Sequence, residues 1–187
     1  MMIRPSRIWQ DETMTPFLMT PRLTLRPLET RDVDAVFAMM SDDETMRFWD
    51  WPAFRDRDVV ADIVAAQRAD MAAGTGMYWA VALTAGGAAI GSCDLSDIDR
   101  HHKRAEIGFL FSRAWWGNGY AREAMEAINA FAFEDLHMER LWARFHAGNA
   151  ASQRLLERLG FAREGILRAH ILRDGVRRDC EIYGRMR

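Results

Sequence analysis

Cysteine is scarce in this chain. Only Cys93 and Cys180 are present, far apart and inside strand-like stretches, which supplies neither a disulfide framework nor a metal knuckle. No metal is expected, and a reducing cytoplasm is the expected compartment. A basic tract is also missing: 25 Lys and Arg are spread along the sequence against 27 Asp and Glu, for a formal charge of −2. A phosphate backbone selects clustered cations, so a direct nucleic-acid partner is not expected. No apolar run reaches bilayer-spanning length, so no membrane partner is expected either. In the opening "MMIRPSRIWQDETM", Gln10, Asp11 and Glu12 interrupt the sequence before an apolar core could form, which argues against a signal peptide. There are no internal repeats, and no G-x-x-x-x-G-K-[ST] phosphate loop occurs.

What is there suits one globular domain: 187 residues, 49% hydrophobic and 28% charged. Residues 1–20 carry no period and read as an irregular lead-in, with the domain over residues 21–187. "RLTLRPL" alternates Leu23 and Leu25 with polar residues, as a strand does. Thr30 can cap a helix whose Val33, Val36, Phe37 and Met40 share one face. After the acidic, aromatic link "SDDETMRFWDWP", an amphipathic helix is expected over about Asp56 to Ala73, ended by Gly74. Strand-like runs follow in "MYWAVAL", "AAIGSCDLSDI" and "RAEIGFLF". A helix is expected from Gly119 to about Leu136, a strand in "RLWARFHA", and a short helix in "NAASQRLLERLG" with Asn149 as cap. Two last strands are joined at Asp174-Gly175. The order β-α-α-β-β-β-α-β-α-β-β specifies an α/β (α+β) fold: a mixed, mostly antiparallel sheet with helices on both faces.

The densest chemical signal is "RAWWGNGYAREA", Arg113 to Ala124. A strand ends at Phe111, and a helix begins at about Gly119. Unpaired N–H groups at a helix start, beside glycines that admit a ligand, make an anion site. A dinucleotide fingerprint would need a third glycine where Arg122 stands. The diphosphate of coenzyme A remains.

With "PRLTLRPL", "AEIGFLF", "WWGNGYAREA" and "NAASQRLLERLGF" at these spacings, the chain resembles the GNAT acetyltransferases, and among them the ribosomal-protein N-terminal acetyltransferases of the RimJ/RimL type. The resemblance runs from Thr20 to Arg187. It implies a single-domain fold with splayed central strands, acetyl-CoA as cofactor, and an amine acceptor such as a ribosomal or other protein N-terminus, in a monomer or homodimer. A small amine as acceptor, and a non-catalytic acyl-CoA-binding module, are the alternatives. It assigns cofactor contacts to Phe109, Leu110, Phe111, Trp116, Gly117, Asn118, Gly119, Tyr120, Ala121, Asn149 and Ser152. The family's turn usually carries Gln or Arg where Ala114 stands, with Arg113 one residue off.

The implied chemistry needs a neutral amine, a polarised carbonyl and a stabilised thiolate. Alternation places Glu106, Gly108 and Leu110 on one strand face, and Gly108 is expected to permit close approach. Glu106 is the candidate general base through a water, since partial burial raises a carboxylate's pKa. His101, His102, His146 and His170 are rivals, with His146 the best placed. The family's usual tyrosine acid would fall at Leu156, so the leaving sulfur is expected to use Ser152, whose alternative role is helix capping or packing. On the acceptor side, Asp42, Asp43, Glu44 and Asp50 could attract a cationic amine between Trp49, Trp51 and His146, or form a solvated acidic loop around core indoles.

Overall fold

The computed structural model describes residues 15–187. The expectations for residues 1–14, an irregular start without a signal peptide, lie outside the described residues. The elements are β1 (Leu18–Met19), β2 (Leu23–Pro27), α1 (Val33–Met40), α2 (Arg57–Ala73), β3 (Met77–Leu83), β4 (Gly91–Asp99), β5 (Arg104–Phe111), α3 (Tyr120–Glu134), β6 (Arg140–His146), α4 (Ala150–Arg158), β7 (Ala162–Arg173) and β8 (Val176–Met186). They form one sheet in the order β1-β2-β3-β4-β5-β6-β8-β7. Every pairing is antiparallel except β5 with β6.

Period-two alternation decides which side chains face which layer. Leu23 and Leu25, then Met77, Trp79 and Val81, then Ile107 and Phe111 turn to the side covered by α3 and α4. Ala80 and Leu110 turn to the other side, against Val33, Val36 and Met39 of α1 and Val60 and Val64 of α2. Each of the Val, Leu, Ile, Met and Phe side chains among these contributes about 1.5–3 kcal/mol through burial. Trp79, fully enclosed, keeps its polar edge satisfied by donating from Nε1 to the Pro16 carbonyl at 2.7 Å. Helices therefore cover both faces of a mixed, mostly antiparallel sheet, as the element order implied.

Two local expectations are corrected. The lead-in is not wholly irregular: Leu18 and Met19 pair with Leu25 and Thr24, and a strand of two residues is too short to show a period. Thr30 is not the cap before α1. Asp32 reaches back to accept from the Glu29 N–H at 2.9 Å, because Arg26, ion-paired to both its carboxylate oxygens, holds it there. The Thr30 hydroxyl instead accepts from Arg68 at 2.8 Å.

Candidate active site

The Gly-x-Gly segment folds as the residue types demand. After β5 a short 3-10 turn, Arg113–Trp115, leads to Gly117 and Gly119, both left-handed with φ of 77°, a conformation glycine adopts without steric penalty. Gly119 is the N-cap of α3 and no side chain caps that end, so the first N–H groups of a fifteen-residue helix are open to a ligand. The turn is braced from within. Trp116 donates from Nε1 to the Phe111 carbonyl at 2.7 Å, and Asn118 Nδ2 donates to the carbonyls of Trp115 and Trp116 at 3.2 and 3.0 Å. Trp115 packs beneath, edge-on to Tyr120 with ring centroids 6.0 Å apart. Sequence reasoning missed Arg22, which stacks over Tyr120, donates to the Asn118 carbonyl at 3.0 Å and pairs with Glu123 at 2.6 Å. Its place in "PRLTLRPL", opposite the turn, was the available signal.

Outside the glycines there is room. A Cβ on Gly117 would meet nothing within 4 Å, and one on Gly119 only Arg22 Nη2 at 3.6 Å. Open donors beside open space fit the diphosphate of coenzyme A. Arg113 does not add to this cradle, for its guanidinium pairs with Asp42 at 3.1 Å.

A second opening lies between the central strands. β5 and β6 pair only where Arg104–Glu106 meet Arg140–Trp142. Beyond that, β5 continues with β4 to Phe111 while β6 continues with β8 to His146, so the strands splay as expected. Leu110 and Phe111 are buried and Phe109 half-buried, which leaves the main chain as the part of this strand a ligand can use. α4 begins beside the end of β6. Asn149 accepts from Ser152 N at 3.2 Å and so caps the helix, Ser152 stays partly accessible, and Leu156 is 1% exposed in the core.

Glu106 stands at the root of that opening, half-buried on the face shared with Leu110. Burial pushes its carboxyl up to about 7; Arg144 opposes this, and Asp94, Asp97 and Asp50 reinforce it. Asp94, which the sequence reading passed over, occupies the space expected to admit a ligand at Gly108. A Cβ at Gly108 would overlap the Asp94 carboxylate, so that glycine makes room for a side chain of the neighbouring strand. Ser96 Oγ donates to Asp94 at 3.0 Å, yet desolvation still raises Asp94 to about 6. Asp50 bridges Arg144 Nη2 at 3.2 Å and His146 Nε2 at 2.9 Å, which fixes the imidazole's orientation. His101 and His102 are exposed at the other end of β5, and His170 is exposed on β7.

The acidic loop is not an open cation trap. Asp42 binds Thr45 and Arg113, Asp43 pairs with Arg55 at 2.6 Å, Glu44 with Arg47 at 3.3 Å, and Asp50 with Arg144. Trp49, partly buried, packs on the α1–α2 core, whereas Trp51 is 66% exposed, so the two indoles sit in different environments. Arg173 fastens the loop to the β7–β8 hairpin by donating to the carbonyls of Met46, Arg47 and Trp49 at 2.7–2.9 Å.

Comparison with known proteins accords with this geometry. Residues 22–162 match the acetyltransferase (GNAT) domain family. The uncharacterized N-acetyltransferase YoaA of Bacillus subtilis (strain 168) is 30% identical over 170 residues, 91% of this chain and 96% of that protein. The [ribosomal protein uS5]-alanine N-acetyltransferase of Escherichia coli (strain K12) is 33% identical over 91 residues, 48% of this chain and 47% of that one. In fold, the chain superposes on RimL, the ribosomal L7/L12 alpha-N-protein acetyltransferase in complex with coenzyme A, with a TM-score of 0.83 at 18% identity, covering 91% of this chain and 98% of that one. No helix among the described residues is long and apolar enough to cross a membrane. With its amide-lined turn and parted central strands, the chain belongs to the GNAT acetyltransferase family and is an acetyl-CoA-dependent N-acetyltransferase.

Proposed function

We propose that the acceptor is the α-amine of a protein N-terminus. The carrying observation is Glu106, a half-buried carboxylate at the root of the β5–β6 opening with its pKa raised to about 7. Such a group removes a proton near neutral pH, which a chain-terminal α-ammonium of pKa about 7.7–8.0 gives up readily. The likeness to the uS5-alanine enzyme over 91 residues supports this choice of amine.

Acetyl-CoA, when bound, supplies an activated acetyl group on a thioester. The main-chain N–H groups at Gly119, Tyr120 and Ala121 grip its diphosphate, with Gly117 and Asn118 shaping the approach and Trp116 closing the turn's outer side. The strand backbone at Phe109, Leu110 and Phe111 lies along the opening, where N–H donors polarise the acyl oxygen. The donor half of the Asn149 amide serves the cofactor arm while its Oδ1 caps α4. Ser152 Oγ–H supports the departing sulfur, a modest task because a thiol of pKa about 8.5 leaves easily as thiolate. Glu106 takes the amine proton through a water, and His146, locked to Asp50, lines the acceptor's path. The test is thiol release from acetyl-CoA with peptides bearing a free N-terminus, set against polyamines and amino acids. Release with peptides is the expected result; release only with small amines overturns the proposal.

A further inference from the structure

Between the 43–48 loop and the β7–β8 hairpin lies an open cavity of about 680 Å³, with His146 on one wall. Its volume falls in the range that holds a drug-sized ligand, which is several residues of chain beyond a reacting amine. Its charge is unbalanced in an informative way. Four arginines line it, Arg47, Arg173, Arg177 and Arg178, with Asp43, Asp174 and Asp179. Each aspartate is already engaged: Asp43 with Arg55 at 2.6 Å, Asp174 with Arg173 at 3.4 Å, and Asp179 with the Ala169 N–H at 2.7 Å and Arg168 at 3.6 Å. Arg173 is spent on the loop carbonyls. Arg177 makes only a long 3.4 Å bond to the Ala169 carbonyl, and among the described residues neither it nor Arg178 has an ion-pair partner. Arg178 lies two residues along β8 from Cys180, the register partner of His146, a rise of about 7 Å. Two guanidinium groups with no ion-pair partner among the described residues thus stand two and three residues along β8 past the histidine at the acceptor's path. Guanidinium binds carboxylate in a matched two-point geometry.

Resting on the protein N-terminus reading above, we infer that this cavity holds the residues following the acceptor amine, and that Arg177 and Arg178 select acidic side chains there. The preferred acceptor is a protein whose first few positions carry Asp or Glu. Polycationic amines are disfavoured, because the loop acids that would hold them are occupied within the chain.

Three tetrapeptides with free α-amines test this: Ser-Asp-Glu-Ala, Ser-Asn-Gln-Ala and Ser-Lys-Lys-Ala, with spermidine and free glutamate alongside. Thiol release is followed, and peptide binding to the coenzyme A-loaded protein is measured by calorimetry at low and high salt. The acidic peptide is expected to show a KM about tenfold below the neutral one, the effect of one charge-assisted contact in a partly screened groove. The advantage shrinks as salt rises. Arg177→Gln and Arg178→Gln erase it, and Arg178→Glu turns the preference toward the lysine peptide. An unaltered thermal shift with acetyl-CoA shows that these exposed-strand variants remain folded. Equal KM values for acidic and neutral peptides overturn the inference, as does better use of spermidine or of free glutamate. Selective binding of the acidic peptide without thiol release preserves the selectivity and overturns the transfer to N-termini; no release and no selective binding overturns both.

Discussion

Glu106→Gln separates catalysis from stability in one substitution. An acid whose folded pKa lies above its unfolded value binds more protons when folded, so its favourable contribution is complete below the unfolded value and disappears as pH climbs through the folded one. For Glu106 that window runs from 4.5 to about 7. At about 1.4 kcal/mol per pH unit, full shielding would set a ceiling of about 3.5 kcal/mol. Glu106 is only half-buried, so screening reduces the expected effect to about 1.5 kcal/mol. The glutamine variant should therefore match the wild type in denaturant unfolding near pH 4.5, and exceed it by about 1.5 kcal/mol above pH 7. Turnover should move the opposite way, falling by about 10²- to 10⁴-fold, and the acid limb of kcat/KM, centred near 7 in the wild type, should vanish. A stability difference that does not grow with pH refutes the desolvation argument. A surviving acid limb at unchanged rate refutes the assignment of the base.

Four other perturbations probe the surrounding structure. Gly119→Val forces a β-branched residue into φ of 77°, at a cost of about 1–3 kcal/mol. It should also shrink the thermal stabilisation by acetyl-CoA, whereas a full ligand-induced shift would show that the turn amides are not the grip. Gly108→Ala drives a methyl into Asp94 and should destabilise by about 1–3 kcal/mol; Asp94→Ser should relieve most of that loss, and simple additivity in the double-mutant cycle would contradict the contact. Ser152→Ala should lower kcat about tenfold, the worth of one hydrogen bond to a charged sulfur, with acetyl-CoA affinity retained. Arg173→Ala removes three bonds to loop carbonyls from a side chain 11% exposed. About 2–4 kcal/mol of unfolding free energy should go, with acceptor KM raised by a looser wall; unchanged proteolysis of the 43–51 loop would count against that.

The parts of this protein legible in its sequence are those whose cause is local. Leu23 and Leu25, or Ile107 and Phe111, announce a strand because period two is a property of neighbours, and "GNG" announces an anion turn because left-handed backbone is nearly reserved for glycine. What could not be read depends on residues far apart in the chain meeting. Gly108 looked like an entrance for a ligand, but an absent Cβ says only that something comes close, and β4 supplies Asp94. The run Asp42, Asp43, Glu44 and Asp50 looked like an electrostatic lure for an amine, yet Arg113, Arg55, Arg47 and Arg144 neutralise it, three of them from other elements or loop segments. The same redistribution of partners that silences the acids leaves Arg177 and Arg178 without an ion-pair partner among the described residues at the cavity. Net charge counted along a segment therefore misstates the field an acceptor meets. That field is set by which ions remain after the fold has matched the others, and around His146 the remainder is positive.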